Sequence, residues 1–226
     1  MKYINGDYYN RIWENDKKNG DGIIKYSNGE KYIGNWINDK KNKNGKMKYK
    51  NNEEYNGNWE NDLKKGKGEM KYKNGDIYEG EWENDEIKGN GTMIYKNKNI
   101  IFYKGNWENN LKNVKGIMLI KNDNKYEGEW KNDVLINGKI IFKNKDIYEG
   151  NLLNEIIEGK GKMKYLNENE YNGEWINNKK EGKGIMKYLN GYEYNGDWKE
   201  DLKEGKGKLK LKNGYEYNGN WLKKNS

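Results

Sequence analysis

The sequence predicts an all-β fold: an elongated, single-layer, twisted antiparallel β-meander built as a solenoid-like array of hairpins. Three observations carry this. The pattern Tyr-x-Gly-x-Trp returns about every 23 residues, anchored at Tyr32, Tyr55, Tyr78, Tyr103, Tyr126, Tyr171, Tyr194 and Tyr217, with degenerate copies at Tyr9 and Tyr148. A second pattern, Gly-x-Met-x-Tyr in its commonest form, follows with the same period. The chain holds 29 Gly and no Pro, and each glycine inside a helix would cost about 1 kcal/mol relative to Ala.

The first pattern alternates with period two, so it reads as a short strand with Tyr, Gly and Trp on one face and polar residues on the other. All nine Trp fall on it, at 13, 36, 59, 82, 107, 130, 175, 198 and 221, and Leu152 takes the tenth slot. The second pattern is the partner strand, and every Met except Met1 sits in it. Six residues after its glycine comes an Asn, four times continued as Asn-Gly, at Asn28, Asn74, Asn190 and Asn213. Asn-Gly predicts a tight primed turn, with positive φ at both central residues. Glycine between two aromatics predicts that a ring lies over bare backbone and recovers the packing a strand glycine lacks. One such unit buries too little to fold alone, so stability must come from stacked neighbours.

Charged residues make up 35% and hydrophobic ones 32%, a balance that favours disorder, but 14% aromatics supply the apolar surface that opposes it. The absence of His and Cys excludes disulfides, the common zinc sites and imidazole or thiolate catalysis. Arg11 is the only arginine, so bidentate reading of guanine or phosphate is nearly lost and no specific nucleic-acid partner is expected. The start of the chain lacks the apolar core of a signal peptide, and no apolar run approaches membrane-spanning length, which predicts an intracellular, cytoplasmic protein. No cofactor or metal is expected, and no acidic pair stands out from the repeating background as a catalytic centre.

Tyr78-Glu79-Gly80-Glu81-Trp82 with Gly89 and Gly91, and Tyr194-Asn195-Gly196-Asp197-Trp198 with Gly205 and Gly207, resemble the MORN (membrane occupation and recognition nexus) repeat. The resemblance covers nearly the whole chain as one array over 1–226. A partial repeat occupies 1–8, repeats are anchored at Tyr9, Tyr32, Tyr55, Tyr78, Tyr103, Tyr126, Tyr148, Tyr171 and Tyr194, and a terminal half-repeat occupies 217–226. It implies a half-pipe sheet and a non-catalytic scaffold that binds partner helices or extended segments, in some members at cytoskeletal and membrane junctions and as a homodimer through terminal repeats. This chain departs from the pattern where Lys43, Val114 and Ile136 replace the first Gly of Gly-x-Gly, where two residues are inserted near 98–101, and where one is deleted before Gly138.

Three surfaces are candidates for contact. The aromatic face predicts a partner-binding groove centred on Tyr78, Trp82, Tyr103, Trp107, Tyr126 and Trp130. The reverse face predicts Glu–Lys pairing across strands, with Ile94, Phe102, Ile117, Leu119 and Ile141 as an outward apolar patch. The net charge of +8 offers an alternative, a peripheral membrane module binding anionic lipids such as phosphoinositides through strand lysines. Unpaired terminal strands would favour self-association unless Lys223 and Lys224 discourage it.

Overall fold

The computed structural model describes residues 4–222; Met1, Lys2 and Tyr3, and the tail lysines Lys223 and Lys224, lie outside the described residues. Nineteen strands and no helix occur among them. The chain divides into two compact units at Val114/Lys115. The first holds β1 (Tyr8–Glu14), β2 (Lys17–Lys25), β3 (Lys31–Ile37), β4 (Lys40–Lys48), β5 (Glu54–Glu60), β6 (Leu63–Lys71), β7 (Ile77–Glu83), β8 (Glu86–Ile94) and β9 (Ile100–Glu108). The division falls within β10 (Leu111–Ile120). The second holds β11 (Lys125–Lys131), β12 (Val134–Ile141), β13 (Ile147–Leu153), β14 (Ile156–Lys164), β15 (Glu170–Ile176), β16 (Lys179–Lys187), β17 (Glu193–Lys199), β18 (Leu202–Lys210) and β19 (Glu216–Trp221).

Within each unit every strand pairs antiparallel with the next, so the predicted all-β meander is what forms. In the first unit β5 and β6 set Tyr55 opposite Met70 and Gly57 opposite Gly68, and β6 and β7 set Met70 opposite Tyr78 and Gly68 opposite Gly80. The two sequence patterns thus become rows running across strands, one of tyrosine and methionine, one of glycine. The second unit repeats the arrangement, with Tyr171 between Met163 and Met186, and Gly173 between Gly161 and Gly184.

The glycine row exists because a tyrosine occupies its space. A Cβ on Gly45, Gly68, Gly161 or Gly184 would collide with the ring and hydroxyl of Tyr32, Tyr55, Tyr148 or Tyr171. Those hydroxyls donate to a carbonyl three residues on, as Tyr55 Oη does to Asn58 O at 2.9 Å and Tyr148 Oη to Asn151 O at 2.8 Å. Tryptophan joins neighbouring repeats. Trp59 Nε1 donates to Gly45 O at 3.0 Å and Trp175 Nε1 to Gly161 O at 3.1 Å, while Trp59 packs edge-on against both Tyr55 and Tyr32, at 5.1 and 5.5 Å between ring centroids. Such edge-to-face pairs are worth about 1 kcal/mol each beyond their area. Trp36 Nε1 is the exception, buried with no partner among the described residues.

The turns correct one expectation. In Asn74-Gly75 only the glycine has positive φ, so this is not a primed turn; it belongs to a longer connection in which Tyr72 N donates to Asp76 O at 2.9 Å. The asparagine has a different use: Asn74 Oδ1 accepts from Asp76 N at 3.0 Å, and the same side-chain turn recurs at Asn28, Asn51, Asn122, Asn144, Asn167, Asn190 and Asn213. The tight primed turn lies after the tryptophan, where both residues are left-handed, as at Asn61 (φ 51°) and Asp62 (φ 73°). Asn and Asp tolerate that region without glycine, so both dipeptides satisfied one rule.

The irregular positions are absorbed locally. The first Gly of Gly-x-Gly sits in a left-handed bulge, which Lys43 (φ 54°) and Val114 (φ 59°) adopt as well, the latter against the preference of a β-branched residue. In β11–β12 the lost residue shortens the bulge. Glu129 faces Asn137 and Trp130 faces Leu135, with Ile136 alone between them, and Tyr126 still faces Ile140. The insertion near 98–101 lengthens one connection, closed by Tyr95 N to Ile101 O at 2.9 Å, while Met93 keeps its place opposite Tyr103.

Candidate functional site

The six rings expected to line a groove are core residues. Tyr78, Trp82, Tyr103 and Trp107 in the first unit and Tyr126 and Trp130 in the second are at most 6% exposed. What a partner would meet is the layer above them, built from two further columns. One is the tyrosine that ends the second pattern: Tyr26, Tyr49, Tyr72 and Tyr95 in the first unit, Tyr165 and Tyr188 in the second, all half-buried. Burial pushes the Tyr26 and Tyr72 hydroxyls up to about 12 and raises Tyr49 and Tyr165 further, with Asp62 beside Tyr26 and Asp85 beside Tyr49 adding to the rise. The signal for these residues was in the sequence, as the last position of Gly-x-Met-x-Tyr, but the aromatic-groove reading passed over them.

The other column opens the second strand of each repeat. Lys41 Nζ stands 4.6 Å from the Trp59 ring and Lys64 Nζ 4.8 Å from the Trp82 ring; in the second unit Lys180 and Lys203 stand 5.2 and 5.0 Å from Trp198 and Trp221. Burial lowers the pKa of Lys41, Lys64 and Lys180, against the pull of Asp62, Asp85 and Asp201. These aspartates sit in the primed turn of the following repeat and clasp the backbone: Lys64 N donates to Asp85 Oδ1 at 3.0 Å, and Asp85 N donates to Lys64 O at 3.2 Å. The same clasp joins Lys18 to Asp39, Lys41 to Asp62 and Lys180 to Asp201. Where the column holds isoleucine, the turn holds asparagine instead, at Ile87 with Asn110 and at Ile157 with Asn178. At these six joints the charge of the turn follows that of the column.

On the reverse face the predicted patch divides between the units. Ile94 is 50% exposed and sits between Ile77 and Phe102 on neighbouring strands of the first unit. Ile117, Leu119 and Ile141 are half-buried in the second, where Ile141 faces Ile147. Cross-strand ion pairs form as predicted, among them Lys46–Glu54 at 2.8 Å, Lys162–Glu170 at 2.8 Å and Lys208–Glu216 at 2.6 Å. Among the described residues there is no helix long and apolar enough to cross a membrane and no cluster of three carboxylates placed to hold a metal ion.

Comparison with known proteins bears on the repeats. The family model described as MORN repeat matches residues 12–31, 32–53, 55–77, 78–100, 103–125, 126–135, 171–191 and 194–214. No curated protein matches the sequence. Among solved structures, the TCP10 domain of Danio rerio CPAP in complex with a peptide of Danio rerio STIL is similar, with a TM-score of 0.53, 8% identity, and coverage of 96% of this chain and 100% of that one. The wild-type TCP10 domain alone gives 0.50 at 7% identity, over 98% and 99% of the two chains. At such identity the likeness is one of fold. The matched segments span well over half of the residues: the chain belongs to the MORN-repeat family.

Proposed function

We propose that this protein is a non-catalytic scaffold that holds an extended or helical segment of a protein partner along its aromatic face. The observation that carries the reading is the layered construction of that face. One row of rings is spent on the core, while a second row of half-buried tyrosines is presented at a fixed step, with a lysine and an aspartate close to Tyr49 and to Tyr165. Repeated ring, cation and anion at regular spacing suit a long ligand better than a small molecule, which would need one distinct set of groups. The similar Danio rerio domain was solved with a peptide bound, which supports a sheet of this kind as a peptide receptor.

The test is site-specific photocrosslinking in cells. A benzoylphenylalanine in place of Tyr72 is expected to capture a discrete protein adduct, and the same probe at Glu79 on the reverse face is not. Equal adducts at both positions, or none at Tyr72, would remove the aromatic face as the site. Placement at a cytoskeleton–membrane junction, and the alternative of anionic-lipid binding through strand lysines, are tested by sedimentation with phosphoinositide vesicles. Because lysines such as Lys46, Lys162 and Lys208 already hold carboxylates, we expect little sedimentation at about 0.1 M salt.

A further inference from the structure

The outer tyrosine row of the first unit narrows what its partner is, and the inference rests on the reading of the aromatic face as a partner-binding surface. Tyr26, Tyr49 and Tyr72 follow one another at a step of two strands, about 9.6 Å at about 4.8 Å for each strand, with Tyr95 one step beyond. Their inner counterparts Tyr32, Tyr55 and Tyr78 donate their hydroxyls to backbone carbonyls of their own strands. The hydroxyls of Tyr26, Tyr49 and Tyr72 have no hydrogen-bond partner among the described residues. A regular row of donors on half-buried rings calls for an occupant with a free acceptor at each step. In the second unit Ile120 and Phe142 stand at two of the equivalent positions, so the donor row is broken there.

The charged groups that act on these three hydroxyls are carboxylates: Asp62, Asp7 and Glu30 at Tyr26, Asp85, Glu30 and Glu53 at Tyr49, and Glu53 and Asp76 at Tyr72. Asp62 and Asp85 lie in the primed turns on one side of the row, and Glu30 and Glu53 in the asparagine turns on the other. Lys64 stands 6.0 Å from the Tyr49 ring, but its side chain is 15% exposed where that of its partner Asp85 is 43%. The loop lysines Lys50 and Lys73 follow Tyr49 and Tyr72 in the chain, yet neither acts on their hydroxyls. Glu53 Oε1 accepts the backbone N–H of Lys73 at 3.3 Å, and no ion pair joins Glu30 or Glu53 to a lysine among the described residues. The potential along the row is thus set by carboxylates, on a chain whose net charge is +8.

We propose that this row holds a basic segment of another protein in the polyproline II conformation. Every third residue packs on a tyrosine ring, backbone carbonyls accept from the three hydroxyls, and lysines or arginines lie over the flanking carboxylates. This conformation repeats every three residues, about 9.3 Å, and makes no internal hydrogen bonds, so a carbonyl is free at each step. From Tyr26 to Tyr95 the row runs about 29 Å, and nine such residues span about 28 Å. A helix in matching register would use about 21 residues and about 31.5 Å, and its carbonyls are taken up within it. A β-strand has the reach, but residues three apart on it turn to opposite sides. The carboxylates on both sides of the row select a cationic segment.

The test uses the full chain and a fluorescein-labelled peptide of Pro-Pro-Lys repeated four times, followed by fluorescence anisotropy. Gly-Gly-Lys and Pro-Pro-Glu repeats of the same length, and an alanine-rich helical peptide of equal positive charge, are the comparisons. The Pro-Pro-Lys peptide should bind and weaken as salt is raised. It should lose at least tenfold in affinity to Glu30→Gln/Glu53→Gln, in which glutamine keeps an oxygen for the Lys73 N–H, and about fivefold to Tyr49→Phe, which removes only a hydroxyl. Tyr165→Phe in the second unit should leave binding unchanged. No binding of this peptide, equal binding of the Gly-Gly-Lys or Pro-Pro-Glu peptide, or indifference to the first-unit variants overturns the proposal. Tighter binding of the helical peptide that depends on Tyr49 overturns it too but keeps the scaffold reading, which the crosslink at Tyr72 decides separately. Unchanged tryptophan fluorescence keeps a loss of fold from imitating a loss of binding.

Discussion

The joint at Lys64 in the first unit and the joint at Ile157 in the second hold consecutive repeats together by the same two backbone bonds and opposite side-chain chemistry. Lys64 N reaches Asp85 Oδ1 at 3.0 Å, and Ile157 N reaches Asn178 Oδ1 at 2.8 Å; each turn residue returns its own N–H, to Lys64 O at 3.2 Å and Ile157 O at 3.0 Å. An oxygen is what the backbone demands. Whether that oxygen is charged depends on the side chain it faces, an ammonium over the Trp82 ring in one case and an isoleucine 2% exposed in the other. At these two joints the charge on the turn follows the side chain it faces rather than the motif.

The largest expected effect is one both joints share. Gly68→Ala and Gly161→Ala each place a Cβ where the Tyr55 or Tyr148 ring lies, so each should cost about 3 kcal/mol, irrespective of the charge above it. Hydrogen exchange at the flanking strands is the measurement to use, because an array of repeats need not unfold in one step. A much smaller cost at Gly161 than at Gly68 would mean that the two joints differ below the clasp as well as in it.

The clasps themselves should separate next. Asp85→Asn keeps an acceptor oxygen but leaves the half-buried Lys64 without the carboxylate 3.7 Å away, and should cost about 1 kcal/mol by the same measurement. Asn178→Asp sets a carboxylate beside Ile157 with no cation, and should cost a similar amount. The double change Lys64→Ile/Asp85→Asn converts the first joint into the second kind and should recover most of the loss. If the double variant is no better than Asp85→Asn alone, the pairing of lysine with aspartate and isoleucine with asparagine is coincidence.

These joints also mark what the sequence could show. Tyr55, Gly57 and Trp59 announced a strand because alternation and period are one-dimensional properties, and the ring over Gly68 followed from the absence of any other way to pack a strand glycine. The turn was misplaced because Asn74-Gly75 and Asn61-Asp62 both offer residues that enter the left-handed region, and only the backbone decides between them. Packing of the Trp82 and Trp107 stripe was legible, but how completely it is buried was not: alternation tells which face a ring is on, not how far the next repeat covers it. The facing of Glu174 and Glu181 was hidden because the bulge shifts register between Gly173 and Glu174, so a strict period-two count misaligns the strands there.

The smallest effect is a dependence on pH that the two joints should not share. Burial depresses the Lys64 pKa in the folded state, so between that value and about 10.5 the unfolded chain binds more protons and stability rises with pH. The tyrosines act in the other direction: with Tyr72 held up to about 12, the folded state keeps protons that unfolded tyrosine releases near 10, and stability falls as pH climbs beyond that point. Denaturation of the intact chain should therefore show a slight gain on approaching pH 10 and a larger loss above it, since many tyrosines oppose few lysines. In the double variant Lys64→Ile/Asp85→Asn the gain should shrink, because one joint no longer titrates, while the loss above pH 10 stays. Persistence of the full gain would assign it to lysines outside the clasp and leave the Lys64 joint without a distinct signature.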